Sequence, residues 1–442
     1  MRTARRVALD ALLRVESGGF ANLVVAELLR GSGLAPRDRG LVTDLVNGTV
    51  RMQRALDHLL AGVATRPVAE LDPEVRAALR LGAYQLTAGI APHAAVGETV
   101  GLVAPRARGF ANGVLRALAR SGPPWALPTG SDIASLAVRT SHPDWLVALL
   151  VAEHGAATAA AILDLDNVPP AVTLRPNPIR TGTEALVAEL RGEGIDVETG
   201  ALVAGAVLVR QAGDPGRLGA VRAGRATPQD QASQAVAALV GAEAGERVLD
   251  VAAAPGGKTT ALAEQMGGRG LVVAADVNLG RLRPVRAAAE RLGLTTVVRP
   301  CPADGTRPPF RPGSFDRVLL DAPCSGLGVL RRRPDARWRI RPAAIVELAA
   351  LQRRLLEESA ALLRPGGRLV YSVCTLTAAE TTEVDAWAAE HLSHLVAEAL
   401  PAPWRPHGRG GLVLPTDAGT DGMFALVLRS EASGTAATLE RE

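Results

Sequence analysis

The amino-acid sequence predicts a multidomain protein: an all-α N-terminal domain, a small α/β linker domain, and a C-terminal α/β domain on a parallel, doubly wound sheet. Three observations predict it. A chain of 442 residues is longer than one hydrophobic core fills. The first 120 residues carry apolar positions at helical spacing with few β-branched clusters between them. Beyond about residue 228, short apolar runs ending in acidic or cysteine residues alternate with helical stretches, the pattern of βαβ units. The expected boundaries are 1–125 for the helical domain, 131–227 for the linker domain, 228–429 for the C-terminal domain, and 430–442 for a flexible tail.

In the helical domain, Val7, Leu9, Leu12 and Leu13, then Leu23, Val24, Leu28 and Leu29, define two helices broken around Gly18 and Gly19. Further helical patterns run over 37–60, 73–86, 94–103 and 107–119, and the domain closes near Pro123 and Pro124. Residues 1–120 hold 16 arginines against 10 acidic residues, while the rest of the chain holds 33 basic against 35 acidic, so the basic character is N-terminal. The stretch SHPDWLVALL reads as a helix start with Ser141 as N-cap and Asp144 in the box position. AVTLRPNP then predicts a strand, 183–191 a helix and 202–209 another strand.

The C-terminal domain opens with a helix over 231–243 and a strand over Arg247–Val251 that runs into DVAAAPGGKT. A strand, a Gly-rich turn and a helix bring backbone N–H groups and a helix N-terminus to a cofactor. A Walker A loop needs glycine where Ala252 stands, and no G-x-G-x-x-G is present, so phosphate binding is the weaker reading. Lys258 is the single lysine among 49 basic residues and sits in this loop, where a flexible ammonium fits and a planar guanidinium does not. A second strand over 271–275 ends in Asp276, and Val297 and Val298 precede Asp304. In FDRVLLDAPCSGLG the apolar run Val318–Leu320 suits a strand buried on both faces, with Asp321 at its carboxyl end and Pro323 and Cys324 just beyond. After a helix over 342–363 and a turn at RPGG, the strand RLVYSVCT carries Cys374 at its end. Strand ends at 250, 276, 304, 321 and 374 thus fall on one edge, where open α/β sheets bind ligands.

Composition bounds the rest. Hydrophobic residues make up 48% of the chain, with no apolar run long enough to span a bilayer. The Arg-rich start is interrupted by Asp10 and Glu16 and lacks an apolar signal region, so a cytosolic protein is expected. Cys301, Cys324 and Cys374 are too far apart for a C-x-x-C pair, and neither a metal site nor a disulfide framework is expected. The run Arg331, Arg332, Arg333, Arg337, Arg339 and Arg341, opposed by Asp335 alone, reads either as a solvated face or as a polyanion contact beside the ligand edge.

DVAAAPGGKT, DAPCSGLGVLRRRPDARW and YSVCTLTAAE resemble, in order and spacing, the motifs of the RsmB/Sun (Fmu) branch of the RsmB/NOP RNA cytosine-5 methyltransferases. DRGLVTDLVNGTVRMQRALD, RAALRLGAYQL, PHAAVGETVGLV and ANGVLRAL are similar to the NusB-type helical RNA-binding domain, and SHPDWLV and PQDQAS extend the likeness over nearly the whole chain. The resemblance implies a Rossmann-like class I S-adenosylmethionine-dependent methyltransferase behind a NusB-like domain. It implies cofactor binding by Ala252, Ala253, Ala254, Pro255, Gly256, Gly257 and Lys258, with Asp276 on the ribose, Asp304 near the adenine and Asp321 at the cofactor edge. It further implies a 16S ribosomal RNA substrate, Cys374 as the attacking thiol, Cys324 in adduct release and Asp321 in adduct stabilisation; no DNA, membrane or metal partner is expected. The chain departs from the family pattern at Val373, where Thr is common, at Thr381, where Asn is common, and at Ala252, where a non-catalytic Cys is frequent.

Two readings from other classes share parts of this pattern. A DNA cytosine-5 methyltransferase would attack with Cys324, but the NusB-like domain and Cys374 argue against it. A non-catalytic RNA-binding or assembly factor would use the helical domain alone, but the retained Cys324, Cys374 and Asp321 argue against that. With 12 aromatic residues in the chain, few base-stacking platforms are expected and arginine carries more of the RNA contact.

Overall fold

A computed structural model describes residues 3–210 and 213–431. They form two compact units: residues up to Pro169 together with Leu330–Ile340, and residues Pro170–Val329 together with those from Arg341 onward. No helix among the described residues is long and apolar enough to cross a membrane.

The first unit is helical. Helices Pro36–Arg51, Pro73–Thr87, Pro92–Val100 and Pro105–Ser121 each open on proline, whose missing N–H is an orphan there and whose fixed φ suits the first turn. Their apolar faces close one core in which Leu9, Leu45, Leu56, Leu60, Leu79, Leu81, Leu115 and Leu118 are fully buried. The pattern over 37–60 is two helices, not one, because Met52 leaves helical geometry (φ −94°, ψ 11°) between Arg51 and Gln53. Residues 133–165, within the range expected for the α/β linker domain, are three more helices, Ile133–Arg139, Asp144–His154 and Ala156–Leu165, and cluster with this unit.

Ser141 corrects the sequence reading. The helix it was expected to cap begins at Asp144 with Pro143 in the cap position, and Ser141 lies in the left-handed region at φ 58°. Its hydroxyl accepts instead from the N–H of Arg54, in the first turn of the helix Gln53–Ala61, so it caps a helix 87 residues earlier in the chain.

The arginine run is also corrected, because three of its six members are engaged within the helical unit. Arg337 is fully buried and donates to the carbonyls of Arg51, Ser141 and Asp166 and to Asn167 Oδ1, at 3.0–3.2 Å. Burial, partly offset by Asp166, pulls its guanidinium down to about 10. Arg331 is buried and donates to the Val168 carbonyl, and Arg339 stacks over the Phe20 ring at 3.8 Å while pairing with Asp335. Arg333 and Arg341 are the exposed members of the run.

The second unit holds two sheets. The small one is antiparallel, in the order β2-β3-β1-β4, with β1 Val172–Pro176, β2 Val197–Thr199, β3 Val207–Val209 and β4 Ala226–Pro228. Helix Thr183–Gly192 covers it through the buried Leu186 and Leu190. The large sheet comprises β5 Arg247–Asp250, β6 Leu271–Asp276, β7 Val298–Pro302, β8 Phe315–Asp321, β9 Leu363–Val373, β10 Leu395–Glu398, β11 Arg405–His407, β12 Gly410–Val413 and β13 Met423–Ser430. Its order is β11-β12-β13-β9-β8-β5-β6-β7, with β10 also paired to β13. Strands β7, β6, β5, β8 and β9 are mutually parallel, and β13 is antiparallel to β9. The order reverses between β5 and β8, and such a switch point opens a crevice at the carboxyl ends. The predicted RPGG turn is absorbed into β9, and the ladder to β8 shifts register beside it, between Phe315 and Arg317. β13 runs to Ser430; residues 432–442 of the expected tail lie outside the described residues.

Candidate active site

Parallel pairing brings the predicted strand ends together. Asp250 ends β5, Asp276 ends β6, Asp304 lies two residues past β7, Asp321 ends β8, and Cys374 follows β9 directly. In the ladder Asp321 pairs with Ser372, so the loop carrying Cys324 and the end of β9 leave the sheet side by side. The sulfurs of Cys324 and Cys374 are 3.3 Å apart in a part-exposed position. Beside them the backbones meet closely at Gly328: a Cβ there would stand 2.1 Å from the Gly422 carbonyl oxygen, and its N–H donates to the Cys374 carbonyl at 3.0 Å. The hydrogen bond to Cys374, desolvation, and the charges of Cys374, Glu380 and Asp321 push the Cys324 thiol well above its ordinary value.

Lys258 reaches across the edge, and its Nζ donates to Asp321 Oδ2 at 2.7 Å. Burial acts to lower the ammonium, but the charge of Asp321 and its hydrogen bond outweigh this and hold it above its usual value. The other Asp321 oxygen accepts from Ser372 Oγ at 2.8 Å. Both carboxyl oxygens are thereby aimed before any ligand arrives.

The loop Ala252–Lys258 crosses between β5 and the helix Gly257–Gln265. Gly256 takes φ +104°, and a Cβ there would come within 3.0 Å of the Val285 backbone, so this turn needs glycine. Beneath the loop, Thr259 Oγ1 donates to Asp250 Oδ2 at 2.6 Å, while Asp250 Oδ1 is buried with no hydrogen-bond partner. Burial, with the charges of Asp321 and Asp276 adding to it, pushes Asp250 up to about 7 against the Thr259 hydrogen bond and Lys258. Asp276 is buried, accepting from the Asn278 N–H at 2.9 Å with Arg281 at 3.4 Å; Asp304 is exposed and drawn below its ordinary value by two hydrogen bonds from Thr306. A glycine-lined turn, an unsatisfied buried carboxyl oxygen below it and acidic residues on the next two strand ends suit a ligand with amino, hydroxyl and sulfonium groups, as S-adenosylmethionine has.

Several contributors were not found in the sequence. Arg175 on β1 donates to the Gly257 carbonyl, Thr260 Oγ1, Glu264 and Gln229, and so braces the Gly-rich loop from the small sheet. Gln352 and Glu380 tie down the two cysteine loops; Glu380 lies in the segment YSVCTLTAAE, where acid among hydroxyls was the available signal. Of the family departures, Val373 is buried opposite Phe424, and Thr381 is buried with its hydroxyl donating to the Thr377 carbonyl.

The parallel five-strand order, the antiparallel β13 and the loop at the switch point define a class I S-adenosylmethionine-dependent methyltransferase. Comparison with known proteins sharpens this. Residues 237–429 match the family described as 16S rRNA methyltransferase RsmB/F, residues 2–120 the NusB family, and residues 142–214 the ferredoxin-like domain of RsmF/B-like methyltransferases. The chain is 35% identical to the Bacillus subtilis protein named "Probable ribosomal RNA small subunit methyltransferase B", over 97% of this chain and 99% of that one. It is also 35% identical to the ribosomal RNA small subunit methyltransferase B of Sodalis glossinidius, over 88% and 89%. The crystal structure titled PH0851 superposes with a TM-score of 0.82 at 24% identity, covering 96% of this chain and 98% of that one, which is a likeness of fold. A methyltransferase homolog from Pyrococcus horikoshii follows at 0.59 and 25% identity, over 67% and 98%. The chain belongs to the RsmB/F methyltransferase family, as its sequence motifs implied.

Proposed function

We propose that the protein methylates carbon 5 of a cytosine in RNA, foremost 16S ribosomal RNA, through a covalent bond between Cys374 and carbon 6. The observation that most supports this reading is the 3.3 Å pair of sulfurs at the ends of two adjacent parallel strands, with Asp321 beside them. When bound, S-adenosylmethionine supplies an electrophilic methyl group; the residues suited to hold it are the loop Ala252–Lys258, Asp276, Asp304 and the edge of Asp321. Carbon 5 of cytosine is too weak a nucleophile unaided, and covalent catalysis supplies the activation. The Cys374 thiolate bonds to carbon 6, and the ring π pair is freed at carbon 5 for alkylation. Asp321, oriented by Lys258 and Ser372, is assigned to ring N3 and the exocyclic amine, where shared protons balance the charge. In release, a base takes the carbon 5 proton, that bonding pair re-forms the double bond, and the S–C6 pair returns to Cys374. Cys324 is assigned as this base because its sulfur lies 3.3 Å from that of Cys374, beside the ring carbons that Cys374 engages. The cytosine must leave its stack to be attacked at carbon 6.

In the same reading, residues 1–125 contact RNA through their basic surface and 228–429 carry the chemistry in a cytoplasmic enzyme. Phosphate contacts of this kind position the substrate without selecting the base. The test is incubation with tritiated S-adenosylmethionine and, separately, unmodified 16S RNA, total tRNA and duplex DNA, with label expected in 16S RNA. Cys374→Ala is expected to lose both turnover and the covalent complex, whereas Cys324→Ala accumulates a protein-RNA adduct on a denaturing gel. An adduct that persists in Cys374→Ala and vanishes in Cys324→Ala reverses the two roles.

A further inference from the structure

Behind the two cysteines lies a fully buried carboxyl group that the chemistry above does not use. Glu380 ends the 3-10 turn Ala378–Glu380. Its Oε1 accepts from the Ser325 N–H at 2.8 Å and from Gln352 Nε2 at 3.0 Å. Its Oε2 is ringed by the hydroxyls of Ser325, Thr375 and Thr377. Ser325 directly follows Cys324 and Thr375 directly follows Cys374, and their hydroxyls are 2.7 Å apart. Gln352 Nε2 also lies 2.9 Å from the Pro323 carbonyl, on the other side of Cys324, and the Tyr371 hydroxyl stands 2.7 Å from the carbonyl of Glu380 itself.

One side chain therefore grips the neighbour of each sulfur. The β8–β9 ladder aligns the strands only as far as Asp321 and Ser372; past that point the two loops are tied by the Ala322 N–H to Ser372 and the Gly328 N–H to Cys374. Neither bond fixes the distance between the sulfurs, and the Glu380 cluster spans that gap. Burying a carboxyl group is costly, and an apolar side chain would fill a corner more cheaply, so its place between these two loops calls for a reason beyond packing. Resting on the cysteine roles proposed above, we infer that Glu380 is a positioning residue that holds Cys324 and Cys374 in the register that couples attack to release. Its charge also contributes to keeping Cys324 protonated.

The variants Glu380→Gln, Glu380→Asp and Glu380→Ala in the full chain separate reach from charge. Glutamine keeps the length; its oxygen can face the N–H donors and its amide the hydroxyls, which rotate to accept. Aspartate keeps the charge but is a methylene too short to hold both loops. The first readout needs no RNA: dibromobimane becomes fluorescent on bridging two close thiols, measured in a Cys301→Ser background. Glu380→Gln is expected to bridge and turn over near the wild-type rate, while Glu380→Asp and Glu380→Ala bridge slowly and lose about a hundredfold in kcat, the order expected for an ångström of misplacement. Their S-adenosylmethionine affinity by calorimetry is expected to hold. Unchanged bridging in Glu380→Ala overturns the inference, as does wild-type turnover in Glu380→Asp with loss in Glu380→Gln, which makes the role one of charge. Melting and cofactor affinity that fall in step with activity also overturn it, leaving Glu380 merely structural. Because bridging reads geometry alone, a wrong assignment of the nucleophile alters the gel experiment and leaves this one standing.

Discussion

Arg337 in the helical unit and Glu380 in the catalytic unit are opposite charges buried in the same manner. Each is fully inaccessible, and the hydrogen bonds around each come from neutral groups: three backbone carbonyls and an amide oxygen for Arg337, a backbone N–H, an amide and hydroxyls for Glu380. What differs is what the partners carry. Those of Arg337 are main-chain groups at positions 51, 141 and 166 and the side chain of Asn167, none beside a reactive atom, so the cluster joins helices. Those of Glu380 stand next to both sulfurs. A buried charge is thus assigned to fold or to function by its partners, and burial alone does not distinguish the two.

The largest effect on stability is expected from breaking the first cluster. Arg337→Met leaves several carbonyl oxygens buried without a donor and is expected to cost about 3–5 kcal/mol in chemical denaturation, while Glu380→Gln, with its donors still matched, costs far less. A loss for Arg337→Met below that for Glu380→Gln would end the comparison. Deleting residues 1–125 is not a clean test of RNA binding, since it removes Val50 and Arg51, whose carbonyls accept from Trp338 and Arg337. Point changes at exposed arginines such as Arg333 avoid this.

A third buried charge sharpens the contrast, because Asp250 is not fully satisfied. Its folded value of about 7 lies above its unfolded one, so its contribution to stability is fully present below the unfolded value and is lost as pH rises through 7. Asp250→Asn stays neutral throughout. Relative to wild type it is expected to match near pH 4 and to gain roughly 2–4 kcal/mol by pH 8, measured as the difference between two denaturation profiles. A gap that narrows with rising pH contradicts the burial argument.

Sequence reasoning reached the catalytic edge because strand ends are written locally: an apolar run and then Asp250, Asp276, Asp321 or Cys374 fixes both the element and the side chain that leaves it. It failed where partners are distant in the chain. Arg337 and Arg331 read as a basic surface run because nothing nearby announces that carbonyls at 51, 141 and 168 will receive them. Glu380 is only half legible for the same reason: Thr375 and Thr377 stand 5 and 3 residues before it, but Ser325 and Gln352, which complete the cluster, lie 55 and 28 residues away. Lys258 was singled out by composition, and the loop assignment was local, but its contact with Asp321 is a tertiary fact 63 residues distant.

Ser141 carries the smallest effect and the one that best separates two local causes. Its hydroxyl caps the helix Gln53–Ala61 through the Arg54 N–H, while its backbone sits at φ 58°, a conformation that costs a non-glycine residue about 1 kcal/mol. Ser141→Ala removes the cap and keeps the backbone cost, so a loss of about 1 kcal/mol is expected. Ser141→Gly removes the cap but relieves the backbone, and the two terms of similar size leave stability near wild type. Thermal melting of the two variants side by side decides the matter: Ala below Gly by about 1 kcal/mol supports both causes. Equal losses would mean that the left-handed backbone costs nothing here, and a glycine variant less stable than the alanine one would mean that serine is held at this position by contacts other than its cap.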